Sequence, residues 1–552
     1  MEVEVSGCMV SVLNLAGEVI LSLNLCGDAS ARTVKECVHN AGIATIFCQQ
    51  LLFENDRVSD SKRLAEFTQP LALTLVKLGF DDTRDVAKLT QDVRNDDTQT
   101  VEVELCQRVN PNYANADGNT PLIWSSALGH IGTLHLLIDA GASLTQVNPL
   151  TGHFPLLWAV HSGHAECAQF LLEKSADPKQ VSSHDGMFSL LAAAFSGHVE
   201  NARALLEKHA DPKQVNPQDG TFALLAAAYK GHTEMVKVLL EKSADAKQVN
   251  ARNGGFALLS AAFRGNAESI QVLLETCADL KQVNALNGNF PLLLAADEGH
   301  EESVKLLLQR GADPTQVNPQ TGNFPLLLAV SKGHAESASM LERASGLQQG
   351  NSQTGAFPLL VAAYEGHVEC VKLLLERGAD STQVNPQNGN FPLLLAASNG
   401  HAESAQALLE KGCGLQQVDE QTGTFPLLEA AINGHAESVR ALLEMRAEPS
   451  QISAKGNFPL LFAARSGCAA SVQALVEAGA DPNQVQPQNG TFALLSATWN
   501  GHAQCVKLLL EKRADPKQVN QQNGNTPLLL AARSGHAECQ MGLLGTKFTL
   551  SG

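Results

Sequence analysis

Apolar and polar positions along this chain recur with a step of about 34 residues. In the repeat from Asn385 to Lys411, an apolar run through Leu393 to Ser398 is followed by Gly400-His401 and then by a second apolar-polar segment. The pattern predicts two short helices joined by a turn, with a hairpin leading into the next repeat. A fixed period of this length is typical of a solenoid, in which each repeat stacks on its neighbours.

Local signals predict where the elements of a repeat begin and end. Asn388-Gly389 indicates a tight hairpin turn whose two residues both take positive φ. Pro392 suits the first position of a helix, where its missing N–H is not needed. Gly400 ends that helix, and Glu403 places a carboxylate at the positive end of the second helix dipole. Lys411-Gly412 then supplies a cation and a C′ glycine at its end.

The repeated motifs are Gly-Asn-Phe-Pro-Leu, Ala-Ala, Gly-His and Leu-Leu-Glu, and together they resemble the ankyrin repeat. About thirteen repeats carry them between residues 112 and 545, and a degenerate repeat over 85–107 precedes them. The resemblance implies a mainly α ankyrin-repeat solenoid built from helix-turn-helix and hairpin elements. We expect a degenerate N-terminal cap over 83–111, the array over 112–545 and a C-terminal tail over 546–552.

One position departs from the ankyrin pattern, which usually carries Thr-Pro-Leu-His. The outermost repeats keep Thr120-Pro121 and Thr526-Pro527, and those between carry phenylalanine instead. The series is Phe154, Phe188, Phe222, Phe256, Phe290, Phe324, Phe357, Phe391, Phe425, Phe458 and Phe492. We expect these rings to be buried between neighbouring repeats, which would stabilise the fold by about 1.5–3 kcal/mol each. The alternative is an exposed aromatic binding stripe.

Three further residue types recur in fixed registers. A glutamine series predicts amides aligned across adjacent hairpins: Gln146, Gln180, Gln214, Gln248, Gln282, Gln316, Gln383, Gln451, Gln484 and Gln518. The repeat histidines are predicted to cap turns, because equivalent side chains about 8–10 Å apart cannot share a zinc ion that needs ligands at about 2 Å. Four cysteines in one register are predicted to be buried helix residues: Cys167, Cys370, Cys505 and Cys539.

Two repeats are one residue short. The segment Met340 to Gly346 is predicted to shorten a second helix, and Ser453 to Gly456 is predicted to shorten a hairpin. Both should produce local irregularities, and the first is a plausible hinge.

The residue two before the repeat glycine varies most among the repeats. The series is Ala127, His161, Phe195, Tyr229, Phe263, Asp297, Ser331, Tyr364, Ser398, Ile432, Arg465, Trp499 and Arg533. The ankyrin resemblance implies that this first-helix position faces a concave groove, and Tyr, Trp and Arg dominate binding hot spots. The predicted partner-binding residues are His161, Phe195, Tyr229, Lys230, Phe263, Arg264, Asp297, Tyr364, Arg465, Trp499 and Arg533.

Two candidate patches stand out within this set. The first is aromatic with basic neighbours and comprises Phe195, Tyr229, Phe263, Lys230 and Arg264. The second combines one aromatic ring with two cations and comprises Arg465, Trp499 and Arg533. The alternative is that these are ordinary, scattered surface residues.

Residues 8–79 lack the repeat and predict a β-hairpin, a helix over 31–40 and two later strands, in that order. The motifs Thr33-Val34-Lys35, Cys48 to Phe53 and Leu73 to Leu78 resemble the ubiquitin-like β-grasp. We therefore expect a small α+β domain over 1–82, acting as a fused docking module. The resemblance maps ubiquitin's recognition patch onto Leu15, Leu52 and Thr74, of which the last is polar. A purely structural domain is the alternative.

Charge and composition exclude several classes of function. A formal net charge of -18 argues against nucleic-acid binding, which needs clustered Lys and Arg. The start of the chain lacks a signal-peptide pattern, and no stretch approaches the roughly 18 apolar residues of a membrane span. The 12 cysteines form no C-x-x-C pair and should stay thiols. We expect a soluble monomer in the cytoplasm, with the nucleus as the alternative.

The chain also lacks the sequence motifs of common enzymes. It has no P-loop, no G-x-G-x-x-G opening a helix after a strand, no H-E-x-x-H and no G-x-S-x-G. The sequence therefore predicts no catalysis, cofactor or metal. The leading hypothesis is an interaction scaffold whose groove binds a protein partner. The alternative is a ubiquitin-pathway adaptor that docks through residues 8–79 while the repeats carry cargo, and a third possibility is a purely elastic or spacing element.

Overall fold

The computed structural model describes residues 7–13, 19–26, 31–40, 49–53, 56–57, 71–77, 86–276, 278–342, 346–412 and 414–545. These residues form five strands and 29 helices. The chain divides into two compact units. Unit 1 comprises Met1–Ala257 with Glu275–Cys277, and unit 2 comprises Leu258–Leu274 with Ala278–Gly552. Within the described residues, no helix combines the length and apolarity needed to cross a membrane.

Unit 1 begins with a five-stranded mixed sheet and one helix. In chain order the elements are β1 (Gly7–Leu13), β2 (Val19–Cys26), α1 (Ala31–Asn40), β3 (Gln49–Phe53), β4 (Asp56–Arg57) and β5 (Leu71–Lys77). The strand order in the sheet is β2-β1-β5-β3-β4, with β1 antiparallel to β2 and parallel to β5. Val34 and Val38 lie one turn apart on α1 and are fully buried, as is Val12 of β1.

A short helical pair follows, at the position of the predicted cap. It consists of α2 (Val86–Arg94) and α3 (Thr98–Cys106), and Asp97 caps α3 by accepting the backbone N–H of Thr100. The pair buries apolar residues of both helices, and the buried Glu104 forms an ion pair with the exposed Lys88. Because His130 of the next repeat hydrogen-bonds the carbonyl of Val93 at 2.9 Å, this pair already behaves as a member of the stack.

The remaining helices come in pairs, one pair to a repeat. In unit 1 they are α4 (Pro121–Leu128), α5 (Ile131–Asp139), α6 (Pro155–His161), α7 (Ala165–Glu173), α8 (Ser189–Ser196), α9 (Val199–Glu207), α10 (Ala223–Lys230) and α11 (Thr233–Glu241). The next pair, α12 (Ala257–Phe263) and α13 (Ala267–Glu275), belongs to unit 2 except for its two outermost residues.

Unit 2 continues the same arrangement. Its further first helices are α14 (Pro291–Asp297), α16 (Pro325–Ser331), α18 (Pro358–Glu365), α20 (Pro392–Ser398), α22 (Pro426–Ile432), α24 (Pro459–Ser466), α26 (Ala493–Trp499) and α28 (Pro527–Ser534). Its further second helices are α15 (Glu301–Gln309), α17 (Ala335–Glu342), α19 (Val368–Glu376), α21 (Ala402–Glu410), α23 (Ala436–Glu444), α25 (Ala469–Glu477), α27 (Ala503–Glu511) and α29 (Ala537–Gly545).

The phenylalanine series forms the centre of the core, which confirms the prediction of burial. All eleven rings have at most 1% of their surface exposed. Each phenylalanine with a described cap, such as Phe391, stands in extended backbone at the N-cap and makes no side-chain cap hydrogen bond. Thr120 and Thr526 at the two ends do cap, accepting the N–H of Ile123 and Leu529 respectively. The inner repeats have therefore exchanged a polar cap for a buried ring.

The glutamine series links successive hairpins, as predicted, through backbone carbonyls. At six positions of the series the side-chain Nε2 donates to a carbonyl of the preceding hairpin. The pairs are Gln146 to Asn112 at 2.9 Å, Gln180 to Thr145 at 3.1 Å, Gln214 to Lys179 at 3.0 Å, Gln248 to Lys213 at 3.1 Å, Gln484 to Ser450 at 3.3 Å and Gln518 to Asn483 at 3.0 Å. A second, unpredicted series of asparagine amides runs parallel to it; Asn385, for example, donates to the Thr354 carbonyl at 3.0 Å.

Two predictions about turns are wrong. The repeat histidines stand at the N-cap position of their second helices but make no side-chain cap bond, and rings such as that of His401 reach the preceding repeat instead. In the hairpin turn only Gly389 takes positive φ, at 76°. Asn388 contributes differently, because its Oδ1 accepts the backbone N–H of Asn390 at 3.1 Å.

The remaining local predictions concern the short repeats and the cysteines. Helix α17 has eight residues where its neighbours have nine, and residues 343–345 of the predicted hinge lie outside the described part. The hairpin at Ser453 closes on Asn457, four residues on, whereas the hairpin at Asn385 closes on Asn390, five residues on. The four cysteines in the shared register are buried, which confirms the prediction. Burial raises the pKa of the Cys167, Cys370 and Cys505 thiols to about 11.

Candidate interaction surface

The variable register lies at the C-terminal end of each first helix, and the next repeat holds its backbone in place. In nine repeats the Nε2 of the repeat histidine donates to the carbonyl of the register residue in the repeat before it. Within unit 1 the pairs include His164 with Ala127 at 3.1 Å, His198 with His161 at 3.2 Å and His232 with Phe195 at 3.2 Å. Within unit 2 they include His300 with Phe263 at 3.0 Å, His334 with Asp297 at 3.1 Å, His401 with Tyr364 at 2.9 Å, His502 with Arg465 at 3.1 Å and His536 with Trp499 at 3.2 Å.

Most predicted partner-binding side chains are exposed. The large aromatic ones have exposed fractions of 40% for Tyr229, 36% for Phe263, 50% for Tyr364 and 54% for Trp499. The polar side chains His161, Lys230, Arg264, Arg465 and Arg533 are exposed, whereas Phe195 and Asp297 are half-buried. These positions make the side chains available to a partner, and their role in binding stays a prediction.

The first candidate patch divides between the two compact units. Phe195, Tyr229 and Lys230 belong to unit 1, where α8 and α10 pack side by side and carry the two rings at equivalent positions. Phe263 and Arg264 belong to unit 2. The part of this patch that unit 1 assembles by itself is therefore the pair Phe195 and Tyr229 with one lysine beside them.

Unit 1 also holds an aromatic group that sequence reasoning missed. The Trp158 ring makes edge contacts with His161 and His153, at 5.9 and 5.4 Å between ring centroids. The Arg94 guanidinium lies 4.6 Å from the centre of the Trp124 ring. Both tryptophans stand five residues before their repeat glycine. Scanning this second register, and not only the one two before the glycine, would have found them.

Asp185 is joined to this aromatic group through His153. Its Oδ2 lies 3.0 Å from the Nε2 of His153. Partial burial opposes ionisation, but hydrogen bonds from His153 and Ser182 outweigh it and hold the pKa of the Asp185 carboxyl below its usual range. The carboxylate form therefore persists over the physiological pH range.

The second candidate patch lines a cavity of about 480 Å³ in unit 2. Arg465 and Trp499 are both on its wall, together with Phe462 and Leu530 from the same set of first helices. Arg533 is exposed at the end of α28 but is not among the lining residues. The structure thus brings two of the three predicted residues to one site.

The opposite wall of this cavity consists of hairpin amides that sequence reasoning missed. It includes Asn489, Asn523 and Asn525. Comparing the hairpin position of Asn489 along the chain would have revealed a signal, because the equivalent residues Asp185 and Asp219 are carboxylates. From the sequence, an amide at this position predicts only a turn.

Two carboxyl groups of unit 2 are perturbed near the first-helix surface. Burial raises the pKa of Asp297, and the charge of Lys332 partly offsets this. Burial also raises the pKa of Glu429, which stands in the register of Phe462. No group of three or more His, Cys, Asp and Glu side chains in the described residues is arranged to hold a metal ion.

The structure describes two of the three residues of the predicted ubiquitin-like patch. Leu15 lies outside the described residues. Leu52 on β3 and Thr74 on β5 are direct partners in the antiparallel register of those two strands. Thr74 is also paired with Leu13 of β1.

Comparison with known sequences identifies the helical part of the chain. The family described as "Ankyrin repeats (3 copies)" matches residues 89–182, 190–284, 224–318, 258–348, 292–385, 326–419, 359–453, 393–486 and 460–549. Among solved structures, the crystal structure of the human ASB11 ankyrin repeat domain is similar, with 27% sequence identity and a TM-score of 0.38. That match covers 41% of this chain and 99% of the other. No curated protein matches the chain.

Proposed function

Because the chain belongs to the ankyrin-repeat family, whose repeats are generally protein-interaction modules, we propose that it is a non-catalytic scaffold binding a protein partner through its concave groove. The binding residues would come from the variable register, and no cofactor or metal would take part.

The observation that carries this proposal is that the variable register combines a backbone held by the next repeat with side chains that differ from repeat to repeat. At nine of the thirteen positions the backbone of the register residue is tied to the next repeat by a histidine, as Arg465 is tied by His502. The side chains at the same position are free to differ, and Tyr229, Tyr364 and Trp499 each expose 40% or more of their surface. A constant framework that displays variable, exposed aromatic and arginine side chains is what a binding surface requires.

The test compares variants that change the register with one that changes an equally exposed ring elsewhere. The register variants are Phe195→Ala with Tyr229→Ala in unit 1, and Arg465→Ala with Trp499→Ala in unit 2. The matched control is Tyr113→Ala, because Tyr113 has an exposed fraction of 55% and lies outside the register. Proteins captured from a cell lysate by each full-length variant would be identified by mass spectrometry, and circular dichroism would confirm folding.

We expect at least one partner to be captured by the intact chain and by the Tyr113→Ala control but lost with one of the register pairs. The pair of substitutions that abolishes capture then identifies the compact unit that carries the binding site. If every captured protein is retained by both register variants, the groove is not the working surface and the proposal fails.

A second proposal, a ubiquitin-pathway adaptor, rests on the small domain at the start of unit 1. The strand order β2-β1-β5-β3-β4 with a single helix supports assigning this domain to the ubiquitin-like β-grasp. In this role residues 8–79 dock on a ubiquitin receptor or ligase while the repeats carry cargo. Leu15, Leu52 and Thr74 would form the docking patch.

The adaptor proposal can be tested without separating the domains. Binding of the full chain to a purified ubiquitin-receptor domain would be measured by calorimetry, alongside a Leu15→Ala, Leu52→Ala variant of confirmed fold. Binding that is lost in the variant supports the adaptor. An intact chain that does not bind removes the adaptor role and leaves the groove proposal untouched.

We also propose a cytoplasmic or nuclear location and a monomeric state. The location is supported by seven free thiols, as expected of a reducing compartment: Cys37, Cys106, Cys167, Cys370, Cys468, Cys505 and Cys539. Fractionation of cells that express the chain would test the location, and light scattering would test the monomer.

A further inference from the structure

The cavity of unit 2 has two chemically different walls. The helix wall is aromatic and apolar apart from one cation, and includes Phe462, Trp499 and Arg465. The hairpin wall is built from side-chain amides, including Asn489 and Asn523. A site of this kind can pair with the polar backbone of a ligand on one side and take its side chains on the other.

Hydrogen bonding within the hairpins leaves donors facing a ligand. The Oδ1 of Asn489 accepts the backbone N–H of Thr491 at 2.9 Å, and the Oδ1 of Asn523 accepts that of Asn525 at 3.0 Å. These bonds engage the oxygens and fix the orientation of both amides. Neither NH₂ group has a partner among the described residues, and the same is true of the Trp499 indole N–H. All three side chains are exposed, so their donors are available to the acceptors of a ligand.

The charges of the lining residues also favour a ligand that carries hydrogen-bond acceptors. None of the lining residues is Asp or Glu. Arg465 is exposed, lies over the Phe462 ring at 5.7 Å and forms no ion pair within the described part of the chain. In a protein with a net charge of -18, a lining that combines an unpaired guanidinium with amide donors and lacks carboxylates is selective for an anionic group.

Other hairpins show that the turn does not require an amide at this position. Asp219 occupies it in unit 1 and accepts the N–H of Thr221 at 2.8 Å, and Asp185 likewise accepts that of Met187 at 3.1 Å. A carboxylate and an amide therefore serve the turn equally well. They differ in what they offer a ligand, because only the amide carries a donor.

From these features we propose that the cavity binds an extended peptide segment of a partner protein, with a carboxylate side chain of that segment paired to Arg465. This inference rests on the proposed scaffold function and names the partner's chemistry. The cavity draws residues from three successive repeats, which at about 10 Å per packed helix span about 20 Å. That distance corresponds to about six residues of extended chain.

A peptide fits the lining better than a nucleic acid does. Phosphate backbones are held by several cations, each of which displaces counterions, and the lining supplies one. Amide groups suit peptide carbonyls, and the exposed Trp499 ring offers a surface for an apolar side chain next to the acidic one.

The experiment pans a phage-displayed library of random linear peptides against the full chain and measures the selected peptides by fluorescence polarisation. The test variant is Asn489→Asp with Asn523→Asp, which keeps the turn hydrogen bond that Asp219 demonstrates but replaces two donors with carboxylates. The matched control is Asn388→Asp, which changes the same turn of another repeat in unit 2, where Asn388 accepts the N–H of Asn390 at 3.1 Å. A third variant, Arg465→Gln, removes the cation.

We expect the selected peptides to be enriched in Asp and Glu and to bind more weakly as salt is raised. Their affinity should fall by about tenfold or more in the Asn489→Asp, Asn523→Asp variant and in Arg465→Gln. It should be unchanged in Asn388→Asp. Peptides that bind equally well to all variants, or that show no acidic enrichment, would overturn the inference while leaving the scaffold function standing. Failure to select any peptide would also count against it, whereas the lysate capture described above tests the scaffold function separately.

Discussion

The imidazole Nε2 of His401 lies 2.9 Å from the carbonyl oxygen of Tyr364 in the preceding repeat. The same ring fills the space above Gly366, where an added Cβ would come within 2.3 Å of Nδ1. One side chain thus joins two repeats by a hydrogen bond and by close packing. Because Tyr364 belongs to the variable register, this contact fixes the backbone of a residue whose side chain remains free to contact a partner.

Replacing His401 with alanine should weaken the junction between its repeat and the one before it. The Tyr364 carbonyl loses its cross-repeat donor at an exposed site, where water can replace it, and this costs about 0.5–1.5 kcal/mol. Hydrogen exchange measured by mass spectrometry should show faster exchange in α18 to α21 and little change in distant repeats, since each repeat contacts only its neighbours.

His435 offers a matched control for this variant. In its junction the carbonyl of Ser398 accepts a hydrogen bond from the Asn433 side-chain amide at 3.1 Å, so the acceptor stays satisfied without the imidazole. His435→Ala should therefore perturb exchange less than His401→Ala. Equal effects would mean that the ring acts by packing alone.

Two glycines with the same backbone conformation allow the energetic cost of a left-handed residue to be measured apart from the cost of a steric clash with its side chain. Gly366 and Gly378 have φ of +79° and +87°, but an added Cβ at Gly378 meets nothing within 4 Å. Gly378→Ala should cost only the left-handed penalty of about 1–2 kcal/mol. Gly366→Ala should cost more, because the methyl group also displaces the His401 ring from Tyr364.

Urea unfolding of the two glycine variants, monitored by circular dichroism, would measure the difference. A Gly378→Ala variant as destabilised as Gly366→Ala would show that conformational strain, and not the packing of His401, sets the need for glycine in this turn.

The period of the sequence predicts the fold, whereas it predicts the contacts between repeats only in part. A ring at one position in every inner repeat, such as Phe391, has to be buried in a stack, and the structure agrees. The sequence does not predict the role of His401, because the N-cap position suggests a local bond and a one-dimensional pattern does not show that a carbonyl of the preceding repeat lies within reach of its Nε2. Half of the unit 2 cavity escaped prediction for a similar reason: Asn489 has a sufficient explanation as a turn residue, and only the packed hairpins reveal that it also lines a cavity.

Restoring the usual ankyrin threonine in an inner repeat should destabilise this chain. Phe391→Thr could gain a cap like that of Thr120, which accepts the N–H of Ile123 at 3.3 Å, and such a cap contributes about 1 kcal/mol. It would lose a fully buried ring, which costs about 3–5 kcal/mol. The net loss should be about 2–4 kcal/mol, measured by urea unfolding. Thr526→Ala, which removes only an end cap, serves as the control and should cost about 1 kcal/mol. A Phe391→Thr variant as stable as the parent would show that the rings contribute little to the stability of the core.

Glu429 should make the stability of unit 2 depend on pH in a direction opposite to that of most carboxylates. The side chain is half-buried, in the register where neighbouring repeats carry Leu395 and Phe462. Burial raises the pKa of its carboxyl, aided by the charge of Asp419 and opposed by a hydrogen bond from Thr424. A raised pKa in the folded state means that folding favours the protonated form. The stability contributed by this group is therefore fully present below the ordinary glutamate pKa of about 4.3, and it is lost as pH rises through the raised value.

Glu429→Gln replaces this carboxyl with a neutral group of the same shape, so the loss on raising pH should disappear. At neutral pH the variant should have a larger free energy of unfolding than the parent, and the difference should shrink toward zero as pH falls to about 4. Urea unfolding at a series of pH values would measure it. Glu403→Gln, at an exposed position on α21, serves as the control and should show no such trend. A Glu429→Gln variant that is less stable than the parent at neutral pH would show that the ionised carboxylate is stabilised by its hydrogen bond with Thr424 more than it is penalised by burial.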